Sequence, residues 1–271
     1  MSPDLNPIEH LWGILKRKVE ERMVSNIHQV HDVVMEEWKK IPVATCEALV
    51  NSMPKRIGWY NEVVSQAHQL QYSANTLALV VLSTPSMFEK VFLPFLQTGC
   101  CKGVRDPIDQ CVSQTIKSCV SESLPDQSVD IMFDYEMLPS RKPKFLAQTA
   151  AHVAGAARYY RPSDVQDPPW GNKMFGVCIH PRLGGWFAIR ALLVLKGVEV
   201  GEALQQVAPP DCVSSQEARI ELLQRFNLCW HDWTYRDIIP TEERYSPQQQ
   251  EYFITPPDQR GEPAEAVGLS T

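Results

Sequence analysis

The run Thr76-Leu77-Ala78-Leu79-Val80-Val81-Leu82 does not alternate apolar with polar residues, and no other stretch constrains the fold as much. A strand with one face in water alternates; a continuous apolar run of this length between polar residues predicts a strand covered on both faces. Such a strand needs a helical layer on each side, and the sequence supplies candidates. Thr84-Pro85 opens a helix expected to bury Phe88, Val91, Phe92 and Phe95, and Asp106-Pro107 opens another running toward Cys119. Val129 to Glu136 reads as a second strand. Lys144 to Tyr160 is predicted as one helix with a small-residue face (Ala147, Ala150, Ala151, Ala154, Gly155, Ala156, Ala157), which lets a backbone or a flat molecule approach closely. Gly176 to His180 and Trp186 to Leu193 are expected to form an antiparallel hairpin around Pro181, Gly184 and Gly185. Ser214-Ser215-Gln216-Glu217 is a capping box for a helix carrying Ile220, Leu223 and Phe226, and Ser246-Pro247 starts a last helix. The sum is an α+β domain over 58–260 with a largely antiparallel sheet and flanking helices, then a tail over 261–271 expected to be disordered.

The segment before Gly58 has a different character. Asn6-Pro7-Ile8-Glu9 is a well-formed helix start, with Asn6 as N-cap, Pro7 in the first helical position and Glu9 closing a capping box. Ile8, Leu11, Trp12, Leu15 and Val19 continue it as an apolar stripe at helical spacing. A second amphipathic helix is predicted over Ile27 to Trp38 and a short third over Thr45 to Ser52, stopping before Pro54. Residues 1–57 therefore read as a short helical appendage without a core of their own.

Charge narrows the function classes. The chain carries a formal net charge of -6, and Met1 to Ile57 holds eight basic residues against eight acidic ones, so neither part offers the basic surface that neutralises phosphates. Nucleic acid is an unlikely partner on that ground. No apolar run approaches the roughly 20 residues that span a bilayer, and the first residues lack the regions of a signal peptide, so the expected address is cytoplasmic. The eight cysteines form no CxxC pair and no zinc spacing, and are expected as buried free thiols. A phosphate loop, a Rossmann glycine fingerprint, a nucleophile elbow and HExxH are all absent from the sequence.

Two sets of strings carry resemblances. Ser2-Pro3-Asp4-Leu5-Asn6-Pro7-Ile8-Glu9-His10-Leu11-Trp12, continuing through Cys46 to Ile57, resembles the C-terminal fragment of mariner-type DDE transposases, in which Glu9 would be the last carboxylate of an acidic triad. Metal-assisted DNA chemistry needs several carboxylates around two ions. The family's other two aspartates lie upstream of this motif, where the sequence has no residues, so Glu9 is expected only to cap its helix. From about Gly58 the chain resembles the cobalamin C type methylmalonic aciduria and homocystinuria family. That resemblance rests on Leu82-Ser83-Thr84-Pro85, Asp106-Pro107-Ile108-Asp109-Gln110-Cys111-Val112, the string from Leu146 to Ala157, the string from Gly176 to Arg190, and Trp233-Thr234-Tyr235-Arg236-Asp237.

The second resemblance implies a flavin-nitroreductase-like fold and an enzyme that removes the upper axial ligand of vitamin B12. Cyanocobalamin would lose cyanide with electrons from FMN or FAD, and alkylcobalamins would pass their alkyl group to glutathione. It further implies delivery of cobalamin to a downstream trafficking protein and B12-dependent enzymes, and a flavin-dependent homodimer. Its glutathione-binding arginines match Arg190, Arg236 and Arg260; planar guanidinium groups suit the two carboxylates of that tripeptide. Its cobalamin contacts match Asp134, Phe145, Leu146, Ala147, Gln148, Tyr159, Tyr160, Arg161, Cys178 and Ile189, with arginine at 161 where the family is expected to hold glutamine. His152 resembles half of a cobalt-ligating DxHxxG motif, but Ala150 replaces the aspartate, so it is expected as a pocket residue near the corrin and no metal ligand is expected from the protein. The family's own first helix and early strand are expected to be replaced by the transposase-like segment, leaving a sheet edge exposed. A non-catalytic cobalamin carrier and a defunct transposase remnant are the competing readings.

Overall fold

A computed structural model describes residues 56–98, 104, 106–200 and 208–256. The predicted helices before Arg56, Arg260 and the tail over 261–271 lie outside the described residues. Three strands make the main sheet: β1 (Thr76–Ser83), β2 (Val129–Phe133) and β5 (Ala188–Glu199), in the order β1-β5-β2 and antiparallel throughout. β3 (Arg158–Tyr160) and β4 (Val177–Ile179) form a separate antiparallel pair. The result is an α+β fold, as the patterning predicts.

Each face of the main sheet carries helices. One face packs Phe133, Ala191 and Leu193 against Phe88, Phe92 and Leu96, against Ile108, Cys111 and Val112 of α3 (Pro107–Ser123), and against Tyr252 of α6 (Pro247–Ile254). Between Ser86 and Thr98 the chain forms a π-helical turn over Phe88–Phe92 and then α2 (Leu93–Gln97). Pro94 accounts for the irregularity, because it has no N–H to continue an α-helical ladder. The other face packs Ala78, Leu192 and Val194 against Tyr60 of α1 (Arg56–Val63) and Val64 just after it, and against Phe145, Ala150 and Val153 at α4 (Ala147–Val153). α5 (Gln216–Leu228), capped by Ser215 Oγ accepting from Ala218 N, closes a third cluster over Tyr160, Val177 and Ile179.

Three expectations need correction. The helix predicted from Lys144 to Tyr160 spans only Ala147–Val153: Gly155 adopts φ 70°, Gly155 N donates to His152 O, and the N–H groups of Ala156 and Ala157 fold back onto Ala151 O. That left-handed glycine ends the helix and frees Arg158–Tyr160 to become a strand. The strand predicted to Glu136 stops at Phe133, because Glu136 turns back, its N donating to Phe133 O and its Oε2 accepting from Phe133 N. The predicted hairpin is two strands in different sheets, and an isolated bridge between His180 and Gly184 lies in the loop between them. The loop is drawn elsewhere: Gly185 N donates to Arg236 O and Trp186 Nε1 donates to Asp237 Oδ1 at 2.6 Å.

Candidate functional site

The site is organised by one extra residue in β5. Leu82 pairs with Ile189 and Val81 with Ala191, so Arg190 is the unpaired residue of a β-bulge. A bulge re-aims side chains near a strand end, and here it separates two neighbours. Ile189 packs with Tyr159, Val80 and Leu82 against Ala151, Ala157, Cys178, Leu183 and Phe187. Arg190 turns to the opposite side, where its Nε donates to Ser83 Oγ at the end of β1 at 3.0 Å and its charge acts on Asp109 of α3 and on Asp134 after β2.

The apolar side gathers most of the residues expected to meet the corrin. Val80 is shared by the cluster holding Ile189 and Tyr159 and by the cluster holding Phe145, Leu146 and Ala147, so these residues form one face. Leu146, Ala147, Gln148, His152, Tyr159 and Ile189 are only partly buried, as residues lining an accessible surface are, while Phe145 and Cys178 lie beneath them. The anchoring is polar and local. Leu146 N donates to Tyr60 Oη at 2.8 Å, Gln148 Nε2 donates to Gly176 O at 3.2 Å, and Cys178 Sγ donates to Gln148 O at 3.3 Å. Burial pushes the Cys178 thiol far above its ordinary range, so it stays protonated and acts as packing. The void lined by Tyr60, Leu70, Ala78, Val80 and Ala150, about 20 Å³, has the size of one water and is core packing.

His152 occupies the last turn of α4 and its Nδ1 accepts from Tyr159 N at 3.2 Å. That bond places the ring proton on Nε2 in the neutral form, leaving no lone pair there for a metal. Burial, then Arg158 and Arg161, hold its pKa below the usual histidine value, so the neutral form persists. Tyr160 points the other way from Tyr159, as alternation along a strand requires. It is 1% exposed in the third cluster, its Oη donating to Asp211 Oδ1 and accepting from Val213 N. Arg161 is exposed, lies 5.9 Å from the centre of the Tyr159 ring and pairs loosely with Asp164.

The polar side holds Arg190 among carboxyls. Asp134 N donates to Arg190 O at 3.1 Å, and burial raises the Asp134 carboxyl while Arg190 pulls it down. Asp109 is pushed up to about 6, first by burial, then by Asp106 and Asp134, with Arg190 opposing. Asp106, the N-cap of α3, and Asp109 in its first turn were not singled out from the sequence, because only the fold brings them to the buried Arg190. Arg236 sits in an aromatic cage, its guanidinium carbon 4.8–5.6 Å from the ring centres of Trp233, Tyr245, Tyr235 and Trp186, and it donates to Gly185 O. The Nε of Arg236 and the indole Nε1 of Trp233 are buried donors that meet no acceptor among the described residues. Ring contacts from Tyr245 to Phe253 and from Phe253 to Phe88 run from this cage to the α3 face of the sheet, the face that Arg190 also occupies.

Comparison with known proteins identifies the family. Residues 50–262 match the model of the methylmalonic aciduria and homocystinuria type C family. A zebrafish (Danio rerio) cyanocobalamin reductase / alkylcobalamin dealkylase is 64% identical over 208 residues, covering 76% of this chain and 83% of that protein. The human protein of that name is 50% identical over 228 residues, covering 84% and 80%. The crystal structure of a B12-trafficking protein CblC from Caenorhabditis elegans superposes with a TM-score of 0.70 at 33% identity, covering 78% of this chain and 86% of that one. A separate stretch of 55 residues is 44% identical to the Tcb2 transposase of Caenorhabditis briggsae, a fifth of this chain and a fifth of the transposase. With more than three quarters of its length matched, the chain belongs to the methylmalonic aciduria and homocystinuria type C family, and a stretch of 55 residues is similar to part of a transposase.

Proposed function

We propose that this chain is a cyanocobalamin reductase and alkylcobalamin dealkylase. The observation that carries the reading is the bulge in β5: it sets an apolar face at Ile189 and a carboxylate-binding guanidinium at Arg190 on adjacent residues. A flat corrin lies on the apolar face, over Ala147, Gln148 and Tyr159, and the tripeptide thiol is anchored round the strand end by Arg190. Arg236 and Trp233 add two buried donors without acceptors, which is what a site for a second carboxylate leaves when no carboxylate is present. Arg260 would complete the set.

In the dealkylation step the thiolate sulfur attacks the alkyl carbon, an S–C bond forms, the Co–C bond breaks and its electron pair stays on cobalt as cob(I)alamin. The thiol proton goes to solvent. The residues position rather than react: two guanidinium groups fix the tripeptide, and the apolar face holds the corrin and excludes water. FMN or FAD, when bound, supplies electrons for release of cyanide, and Tyr159, Ile189 and the small residues of α4 would hold its ring on the same apolar face. A nitroreductase-like layering, a division of the chain near Gly58, a cytoplasmic address, a flavin-dependent homodimer and transfer of cobalamin to a trafficking protein and B12-dependent enzymes belong to this proposal.

Anaerobic absorbance spectroscopy of the purified chain with methylcobalamin and glutathione tests it. Formation of cob(I)alamin is the expected result. Binding of methylcobalamin without any cob(I)alamin would sink the enzymatic reading and leave a carrier.

A further inference from the structure

Arg190 is not the only unusual group at its end of the sheet. It is 8% exposed, and three carboxyls act on it or on one another: Asp106 and Asp109 from the start of α3, and Asp134 after β2. One guanidinium among three carboxyls leaves acceptors in excess. Asp106 is the N-cap of α3 yet makes no side-chain capping bond, and its Oδ1 is buried without a donor among the described residues. Gln110, one turn on, has its Oε1 buried in the same condition. Buried acceptors normally find donors, and each such orphan costs about 1–3 kcal/mol. The remaining groups nearby are committed: Ser83 to Arg190 Nε, and the Tyr135 phenol to Ser113.

We propose that Arg190, Asp106, Asp109 and Gln110 form a subsite for an α-amino-acid head group, in which the guanidinium takes the carboxylate and the acceptors on the first turn of α3 take the ammonium. This rests on the glutathione reading above and assigns the γ-glutamyl end of the tripeptide to this subsite. The chemistry is complementary in charge and in hydrogen bonding, because an α-ammonium brings three donors and accepts nothing. A tripeptide extends about 10 Å, enough for its thiol to pass round the bulge to the apolar face. Asp109 supports the assignment. Its carboxyl is raised to about 6, first by burial and then by the charges of Asp106 and Asp134, so an arriving ammonium offsets both and expels a proton, whereas a carboxylate arriving alone neutralises Arg190 and draws a proton in.

Calorimetric titration of the full chain at pH 6 in buffers of different ionisation enthalpy tests the proposal, with S-methylglutathione and its analogue lacking the α-amino group as probes. S-methylglutathione is expected to release protons and to bind at least about tenfold more tightly, while the deaminated analogue takes protons up. In Asp109→Asn both proton signals disappear and the preference shrinks; this isosteric change removes a crowded charge and keeps the fold. Equal affinities with proton uptake by both probes would overturn the subsite and leave the glutathione reading standing. Failure of both probes to bind would overturn both.

Discussion

A guanidinium nine-tenths buried at a bulge has to be met by negative charge, and Arg190 is met by the protein's own carboxyls, with a ligand's added in the proposal above. Arg190→Gln keeps the length and loses the charge. Glutathione-dependent dealkylation is expected to weaken by roughly 1.5–3 kcal/mol, the scale of a charge-assisted hydrogen bond, while flavin-driven decyanation falls much less. Rates of the two reactions on one preparation check this; equal loss of both would make Arg190 a structural residue. His180 makes a second prediction. Its Nδ1 accepts from Arg182 N and Leu183 N, and burial, then Arg182, lower its pKa to about 4. The folded state therefore binds fewer protons than the unfolded chain between about pH 6.5 and 4. Its contribution to stability is present above that window and is lost as pH falls through it. Asp109, raised to about 6, acts in the opposite sense: the folded state binds the extra proton, so its contribution is lost as pH rises from about 4 through 6. Denaturant midpoints should show a shallower acid limb in His180→Gln, and in Asp109→Asn a steeper gain of stability from about pH 4 to 6 than in the unsubstituted chain.

At the scale of elements, the turn between β4 and β5 is fastened to the segment after α5. Gly184 holds φ 55°, and a side-chain carbon there would run into Arg236 O; a carbon added at Gly185 would stand 2.8 Å from Arg236 Cα. Gly184→Ala is expected to cost about 1–3 kcal/mol through backbone strain and collision. It should also disturb the cage that holds the Arg236 guanidinium, so a lower Tm together with a raised KM for glutathione is the outcome to measure. Much of this scale was legible in the sequence. The apolar run gave β1, and the caps at Ser215 and Ser246 gave α5 and α6, because each signal is local. The hairpin and the long helix were misread for the opposite reason. Gly184 and Gly185 look like a hairpin loop until Arg236, far along the chain, claims them. Gly155 looks like part of a small-residue helical face, although it closes the helix with a positive φ. The split between Ile189 and Arg190 was illegible too, since a bulge is set by pairing and not by the residues that form it.

At the scale of the whole chain, residues 1–57 are expected to add no chemistry to that of residues 58–260. Glu9 is expected to cap a helix, an effect worth about 1 kcal/mol, so Glu9→Ala should leave decyanation and dealkylation rates unchanged; loss of either without unfolding would contradict that role. The balanced charge of residues 1–57 argues for little DNA binding at physiological salt, and a submicromolar, salt-sensitive shift of transposon-end DNA would overturn it. The main sheet has a consequence in time. Its middle strand is the last of the three to be synthesised: Ser83 waits for Ala188, and Phe133 waits for Ala191. Until β5 leaves the ribosome, β1 is a continuous apolar segment with no partner in that sheet, and at about 5–20 residues per second that interval lasts many seconds. Pairing across such separations is also slow once the chain is complete. A nascent chain stalled before Ala188 should therefore recruit holding chaperones and resist native-like protection, and one extended past Glu199 should lose them, so that the strand carrying Arg190 also decides when the protein becomes a protein.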